Sequence, residues 1–355
     1  MQLIEVNTNK DKKRYIDFIY KVYKNDKNFS DMNLIFVKNF LYKKDSYAKR
    51  ANVLPIMIED GEIKLVCMFI NTKADKELKL SFLEFLPNSK EYIKSVIEYG
   101  KSLMKKYGLS KMVVGINGQI SYGLGILVHG HNDEFEFNAN YNPDYYVKEL
   151  DEIFEIKKRA FSYKYDATKT LNAFDQNMIK HIYDNYSFRY FNKKKFKEEM
   201  LTFGELCHQT LEDTPYYAEK KPYEMYELMK QMKLMMRDED LIFVEKDGKE
   251  IGFVFTHPDY AELFDKPKIN YLKLGWRLLT KRPKNVIYNV IGVLKEYQKE
   301  GVAVGLIDFS TKMRSKEFPT GVSSFILEEN VASTNLCRKI STGINKEFRI
   351  YEIEE

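Results

Sequence analysis

The chain has 355 residues, 44% of them hydrophobic and 31% charged, which suits a globular protein of two domains better than one small domain. No run approaches the roughly 18 consecutive apolar residues that a membrane-spanning helix needs, so we expect no membrane partner. The net charge of +5 is small for this length and favours an ordinary solvated surface over a nucleic-acid partner.

The three cysteines, Cys67, Cys207 and Cys337, are odd in number and far apart. This spacing argues against a disulfide framework and a zinc site, and it is typical of a reducing compartment. The first residues lack the basic stretch and the apolar core of a secretory signal. We therefore expect a cytoplasmic protein that holds no metal.

The first half alternates between strand and helix patterns. The pair Asp60-Gly61 between two apolar runs predicts a tight hairpin. A helix is predicted over residues 89–107 because apolar side chains recur on one face and Gly108 follows as a C-terminal cap. The other predictions are strands over residues 3–6, 53–58, 63–69, 78–85 and 112–116, and helices over residues 11–23 and 32–41.

The second half repeats this order with little identity. Its predicted strands cover residues 188–191, 241–244, 250–255, 287–294, 322–330 and 347–353, and its helices cover residues 196–211, 223–237, 302–313 and 331–340. Residues 160–165 alternate like a closing strand, and a polar connector follows near Asp166. We predict an α/β fold with mixed sheets, divided into domains at residues 1–166 and 167–355.

The segment 298–303 is the most informative part of the chain. Gly301 and Ala303 leave room beside the main chain, and the following helix presents unsatisfied N–H groups and the positive end of its dipole. This combination predicts a pyrophosphate cradle that needs no charged side chain; the alternative is an ordinary loop with a glycine at a helix start. The corresponding residues 85–90 of the first half contain no glycine, so we expect a degenerate site there.

The segment resembles the Gln/Arg-x-x-Gly-x-Gly/Ala signature of the GNAT acyltransferases. Further segments extend the resemblance, over residues 50–355, to a bacterial family of tandem-GNAT proteins: residues 115–117, 125–130, 141–146, 252–259 and 326–351, the last with Asn330, Arg349, Ile350 and Tyr351. The chain departs from the family pattern at Ile116, His131 and Tyr260. The resemblance implies two tandem GNAT folds, the first without a cofactor loop.

The resemblance also implies acetyl-CoA or another acyl-CoA as co-substrate. Its binding residues would be Ile291, Gly292, Val293, Gln298, Lys299, Glu300, Gly301, Val302, Ala303 and Asn330. At the end of the following strand, Glu328 or Glu329 is a candidate to take a proton from an ammonium acceptor, although either also suits a plain surface position. The candidate acids are Tyr351 on the last strand and Cys337, which also suits a buried structural thiol.

The acceptor side is assigned to His257, Tyr145 and Tyr146. His257 ends a strand beside Pro258, where it is a candidate general base, although the position favours a turn-forming role. The two tyrosines equally suit a helix start with Asn142 as its N-cap.

The implied reaction is acyl transfer to an amine of a small molecule or peptide, carried out by the second half. One alternative is a CoA-binding sensor or scaffold without turnover. The other is an aminoacyl transferase that depends on charged tRNA and does not need the phosphate loop.

Overall fold

The computed structural model describes residues 1–131, 133, 136–137 and 139–354. Its strands are β1 (Gln2–Glu5), β2 (Asn52–Asp60), β3 (Glu62–Asn71), β4 (Glu77–Phe85), β5 (Lys111–Val114), β6 (Ile126–His129), β7 (Ile156–Asp166), β8 (Ser187–Tyr190), β9 (Leu241–Lys246), β10 (Lys249–Pro258), β11 (Asn285–Val293), β12 (Thr320–Ser323), β13 (Ile326–Leu327) and β14 (Ser341–Glu354). Its α-helices are α1 (Asn9–Val22), α2 (Leu34–Leu41), α3 (Ser46–Arg50), α4 (Lys90–Tyr107), α5 (Tyr145–Asp151), α6 (Ala167–Asn172), α7 (Gln176–Asn185), α8 (Phe196–Leu211), α9 (Pro222–Lys230), α10 (Tyr271–Thr280), α11 (Val302–Arg314) and α12 (Val331–Ile340).

The chain forms two compact units. The first unit comprises Met1–Ala160, Phe264–Tyr271 and Lys346–Glu355, and the second comprises Phe161–Leu263 and Leu272–Asn345. The C-terminal part of β14 therefore clusters with the first unit although it ends the chain. The division of the sequence into domains at residues 1–166 and 167–355 stays a prediction.

The sheet of the first unit has the order β1-β2-β3-β4-β5-β14, and β6 pairs with β14. Only β4 and β5 in this order run parallel, and α4 connects them. The predicted apolar face of α4 is buried in the core of the unit, and Gly108 caps the helix in the left-handed conformation. The predicted hairpin between β2 and β3 is confirmed, with Gly61 at φ +69°.

The sheet of the second unit has the order β7-β12-β11-β10-β9-β8, and β13 pairs with β7. Here β11 and β12 run parallel and are connected through α11. On α8, the side chains of Phe196, Met200, Phe203 and Cys207 are buried in the core because they recur about every four residues. Each unit thus has a parallel strand–helix–strand frame inside a mixed sheet, which confirms the predicted α/β class.

Two predicted elements differ from the structure. The predicted strand 322–330 is divided into β12 and β13, because Ser324 turns to donate its backbone N–H to the Tyr288 carbonyl (2.9 Å). The predicted helix 223–237 ends at Lys230, and three-residue hydrogen bonds such as Met232 N–H to Met229 O (2.9 Å) continue it as turns. The sequence analysis also missed α10.

Candidate cofactor site

The parallel strands β11 and β12 separate part-way along their length. Their register runs from Asn285↔Thr320 to Tyr288↔Ser323, and the pairing ends there while β11 continues to Val293. The Ser324 hydroxyl donates to the Asn289 carbonyl (2.8 Å) at the point of separation. A wedge therefore opens along the last residues of β11, which include the predicted Ile291, Gly292 and Val293.

A β-bulge lies at the tip of this wedge. In the pairing of β10 with β11, Phe255 faces Val290 and Thr256 faces Tyr288, so Asn289 is the extra residue. Bulges bend a strand and redirect its groups, and they are frequent beside active sites. The apolar pattern of residues 287–294 carries no sign of the extra residue, so the bulge could not be predicted from it.

The predicted loop lies directly after β11. Residues Lys295–Glu300 form a 3-10 helix, Gly301 adopts φ +78°, and α11 begins at Val302. The Gln298 side-chain amide donates to the Val293 carbonyl (3.1 Å) and so ties the loop to the strand. Val302 is fully buried, while Gln298, Lys299 and Glu300 are exposed. The first N–H groups of α11 lie at this exposed loop.

The glycines of the loop and helix also serve helix packing. A Cβ at Gly301 would lie 3.4 Å from Ile182 Cδ1, and a Cβ at Gly305 would lie only 2.6 Å from Ile182 Cγ2. Helix α7 therefore approaches α11 closely on this side, and the Tyr186 hydroxyl of the same region donates to Glu300. Two properties of glycine therefore explain its presence at position 301: it adopts a left-handed φ readily, and it has no side chain.

The predicted carboxylates lie at the end of β13. Glu328, Glu329 and Asn330 are exposed, and Asn330 caps α12 by accepting the Ser333 N–H (3.1 Å). Cys337 is buried on α12 and accepts a hydrogen bond from the Tyr165 hydroxyl (3.1 Å). Burial raises the pKa of the Cys337 thiol. This environment favours the structural alternative for Cys337.

His257 is 1% exposed near the end of β10. Its Nδ1 lies 2.9 Å from the Pro258 carbonyl oxygen, and its ring stacks with Tyr260. Burial lowers the pKa of His257 to about 4, so the ring is neutral near pH 7 and is a weak base. The placement favours a structural role over the predicted acceptor-side role.

Tyr351 belongs to the first unit, whereas the loop at residues 298–303 belongs to the second. Its hydroxyl donates to Asp151 Oδ1 (3.0 Å), and Arg349 forms an ion pair with the same carboxylate. Burial, and then the charge of Asp151, raise the pKa of Tyr351 above its ordinary value. These contacts explain the presence of Tyr351 by a structural role, as a buried member of a polar cluster with Asp151 and Arg349.

The first unit has a similar wedge, and its own side chains fill it. The parallel pairing of β4 with β5 ends at Leu80↔Val114, while β4 continues to Phe85. Tyr146 of α5 enters beside this free part of the strand, accepts the Phe85 N–H (2.9 Å) and stacks on the Phe85 ring. Tyr145 donates to the Phe85 carbonyl (2.5 Å). The two tyrosines predicted at the acceptor side thus occupy the wedge.

Glu149 of the same helix occupies the anion position in the first unit. Its carboxylate oxygens accept the backbone N–H groups of Asn88 (2.6 Å) and Ser89 (2.7 Å), at the start of α4. Asn88 has φ +65°, close to the +78° of Gly301, because asparagine tolerates the left-handed conformation. The absence of glycine therefore does not remove the loop geometry. The Glu149 carboxylate binds the N–H groups of this loop instead.

The wedge of the first unit borders a cavity of about 80 Å³. Glu84 lines it, and Glu84 Oε2 accepts hydrogen bonds from the hydroxyls of Tyr23 (2.9 Å) and Tyr146 (2.6 Å). Burial raises the pKa of Glu84 to about 7, against the opposing effect of the two hydroxyls. Phe82 beside it has φ +49°, a conformation that non-glycine residues rarely adopt.

Two kinds of site are absent from the described residues. Within residues 1–131, 133, 136–137 and 139–354, no three His, Cys, Asp or Glu side chains are placed to hold a metal ion. In the same part of the chain, no helix has the length and apolar character needed to cross a bilayer.

Solved structures with the same arrangement are GNAT proteins. A tandem GNAT protein from the clavulanic acid biosynthesis pathway matches 99% of this chain and 98% of its own, with a TM-score of 0.54 and 9% identity. A GCN5-related N-acetyltransferase from Sphaerobacter thermophilus matches 99% of this chain and 95% of its own, with a TM-score of 0.52 and 8% identity. The chain has the tandem GNAT fold. This confirms the fold that the sequence resemblance implied.

Sequence comparison gives relatives of low identity. The bacterial ceramide synthase of Caulobacter vibrioides is 23% identical over 262 residues, which are 70% of this chain and 68% of that protein. Protein YghO of Escherichia coli is 21% identical over 187 residues, half of this chain and 48% of that protein. No family model matches the chain.

Proposed function

We propose that the tandem GNAT protein is an acyl-CoA-dependent N-acyltransferase whose second unit holds the cofactor. The observation that carries this proposal is the contrast between the two wedges. In the second unit the wedge along β11 leads to the loop at residues 298–303. In the first unit the corresponding groups are bound by Tyr146 and Glu149.

In this proposal, the acyl-CoA pantetheine lies along residues Ile291–Val293 and its pyrophosphate lies at the N-terminus of α11. The dipole and free N–H groups of that helix favour the phosphate charge. The thioester is already activated, so the protein mainly positions the amine beside it and accepts a proton. Glu328 and Glu329 stay the proposed proton acceptors because they are exposed at the end of β13.

The acceptor is a primary amine. Long-chain amino alcohols belong in the first panel of acceptors to be assayed, because one distant relative is named a bacterial ceramide synthase. Thiol release from acetyl-CoA and from a long-chain acyl-CoA is measured with that panel and with short amines and peptides. Release that requires an acceptor supports the transferase. CoA binding without release for any acceptor supports the sensor alternative, and turnover only with charged tRNA supports the aminoacyl transferase.

A charge reversal tests the location of the cofactor. Lys299 is exposed in the loop, so Lys299→Glu brings a carboxylate near the proposed pyrophosphate without touching the core. We expect CoA binding about tenfold weaker by calorimetry, since like charges a few ångströms apart cost on the order of 1 kcal/mol or more. Lys180→Glu, at an exposed position of α7, is the matched control. Equal affinities for both variants would place the cofactor elsewhere.

A further inference from the structure

Helix α10 carries an apolar stripe on its outer side. Leu272, Trp276 and Leu279 are 88%, 68% and 86% exposed. They follow one another at intervals of four and three residues, so they lie on a single face of the helix. Scattered single apolar side chains are normal on a protein surface, but a continuous stripe marks an interaction site.

The opposite side of α10 anchors it to the second unit. Leu274 is buried, and the Arg277 guanidinium donates to the Leu263 carbonyl (2.8 Å). The helix therefore has a packing face of its own, and the exposed stripe is a second feature on the other side. The helix has two apolar sides: Leu274 on the inner side is buried, and the side chains of Leu272, Trp276 and Leu279 on the outer side are largely exposed.

The surrounding sequence is strongly basic. Residues 266–284 contain seven Lys or Arg residues and no Asp or Glu: Lys266, Lys268, Lys273, Arg277, Lys281, Arg282 and Lys284. This local charge of +7 exceeds the net charge of +5 of the whole chain. Lys281 and Arg282 directly follow the helix and are exposed.

We propose that α10 lies on an anionic lipid surface, with Leu272, Trp276 and Leu279 inserted at the level of the headgroups. Lys273 beside the exposed apolar residues, and Lys281 and Arg282 after the helix, are exposed, and this combination is typical of an interfacial helix. The ten residues of α10 are too few to span a bilayer. Tryptophan prefers the boundary between headgroups and acyl chains. The basic side chains attract the anionic headgroups.

The composition of the stripe favours lipid over two other partners. A symmetric contact between two copies of α10 would bring two equally basic stretches together, which like-charge repulsion disfavours. Single-stranded nucleic acid is held by aromatic rings that stack on bases, and two of the three stripe residues are leucines. This proposal does not depend on acyl transfer and is tested without acyl-CoA.

Trp276 is the only tryptophan of the chain, so its fluorescence reports on α10 alone. Vesicles of phosphatidylcholine mixed with phosphatidylglycerol are added to the full chain, and vesicles of pure phosphatidylcholine serve for comparison. We expect a blue shift with the anionic vesicles. Lipids with a quencher near the headgroup should quench more strongly than lipids with a quencher at the chain end, because interfacial helices insert only about 5–10 Å.

Two pairs of variants separate the apolar and the charged contributions. Leu272→Ser with Leu279→Ser should abolish co-sedimentation with anionic vesicles, whereas Leu234→Ser, at a residue that is 92% exposed elsewhere in the same unit, should not. Lys281→Glu with Arg282→Glu should weaken vesicle binding at least about 25-fold, since each basic residue near such a surface contributes about fivefold. Lys180→Glu with Lys197→Glu, at exposed positions of α7 and α8, is the matched control.

Several outcomes would overturn the proposal. They are the absence of a blue shift with anionic vesicles, equal binding by the Leu272→Ser/Leu279→Ser variant and the wild type, and equal loss in the Lys180→Glu/Lys197→Glu control. A blue shift that depends on protein concentration without vesicles, with a dimer in sedimentation velocity, would assign the stripe to self-association. A shift produced by a single-stranded oligonucleotide but not by vesicles would assign it to nucleic acid.

Discussion

Replacing Glu149 by alanine should destabilise the first unit severely. The Glu149 carboxylate accepts the Asn88 N–H at 2.6 Å and the Ser89 N–H at 2.7 Å, and the side chain is buried. A hydrogen bond to a charged group contributes about 1.5–3 kcal/mol, and both N–H groups would lose their partner at once. The loss of an anion at the start of α4 adds about 0.5 kcal/mol or more. We expect Glu149→Ala to lower the free energy of unfolding by about 3–5 kcal/mol.

Urea denaturation followed by circular dichroism measures this change. Glu152→Ala is the matched control, because Glu152 caps the same helix but forms only an exposed ion pair with Lys90. Exposed ion pairs contribute about 0–1 kcal/mol, so the control should stay near the wild type. Added pyrophosphate should raise the unfolding midpoint of Glu149→Ala by more than that of the wild type, because only the variant has a vacant anion position in the first unit. Equal destabilisation by the two substitutions would refute the anion role of Glu149.

Three further results are expected. Burial raises the pKa of Glu84 to about 7 in the folded chain, against 4.5 for the free group, so the folded state binds a proton more tightly than the unfolded state. The free energy of unfolding of the wild type should therefore fall by about 3 kcal/mol as the pH rises from about 4.5 to 7. Glu84→Gln should abolish this pH dependence. Denaturant midpoints at about pH 5 and pH 8 check this, and a wild type equally stable at both would contradict it. Tyr146→Phe should lower the free energy of unfolding by about 1–3 kcal/mol because the Phe85 N–H loses its acceptor, while acyl transfer should persist. Loss of turnover at an unchanged melting temperature would instead support the acceptor-site role of Tyr146. Asp240→Asn should lower the free energy of unfolding by about 3–5 kcal/mol, because Arg314, also buried, keeps its charge without a counter-ion. Urea denaturation measures this change, and a loss below about 1 kcal/mol would contradict the reasoning.

The periodic elements of the fold were predictable from the sequence. The apolar positions of α4 repeat at helical spacing and are buried as expected, and the predicted helix over residues 196–211 is α8. The loop at residues 298–303 follows β11 and opens α11 as predicted, because glycine after an apolar strand marks a change of backbone direction. The assignments of Gln298–Ala303 to the cofactor, and of Glu328 and Glu329 to proton transfer, stay predictions.

Other features depend on contacts that no local pattern encodes. The Asn289 bulge arises from the register between β10 and β11, which the sequence of one strand does not determine. Tyr146 and Glu149 fill a wedge that begins about sixty residues earlier in the chain. The expectation of no membrane partner used the length of apolar runs. That criterion addresses spanning helices, and it does not detect α10, a helix of only ten residues.

The two units show what a phosphate-type loop requires when no ligand is bound to it. The start of α4 and the start of α11 each present N–H groups that the helix itself does not satisfy. In the first unit, the Glu149 carboxylate is the anion that accepts the N–H groups at the start of α4, and the Tyr146 hydroxyl accepts the Phe85 N–H of the adjacent strand β4. In the second unit Gln298, Lys299 and Glu300 before α11 are exposed, and in our proposal the pyrophosphate of the cofactor supplies the anion there. The contacts of Glu149 therefore support the proposal that acyl-CoA binds to the second unit and not to the first.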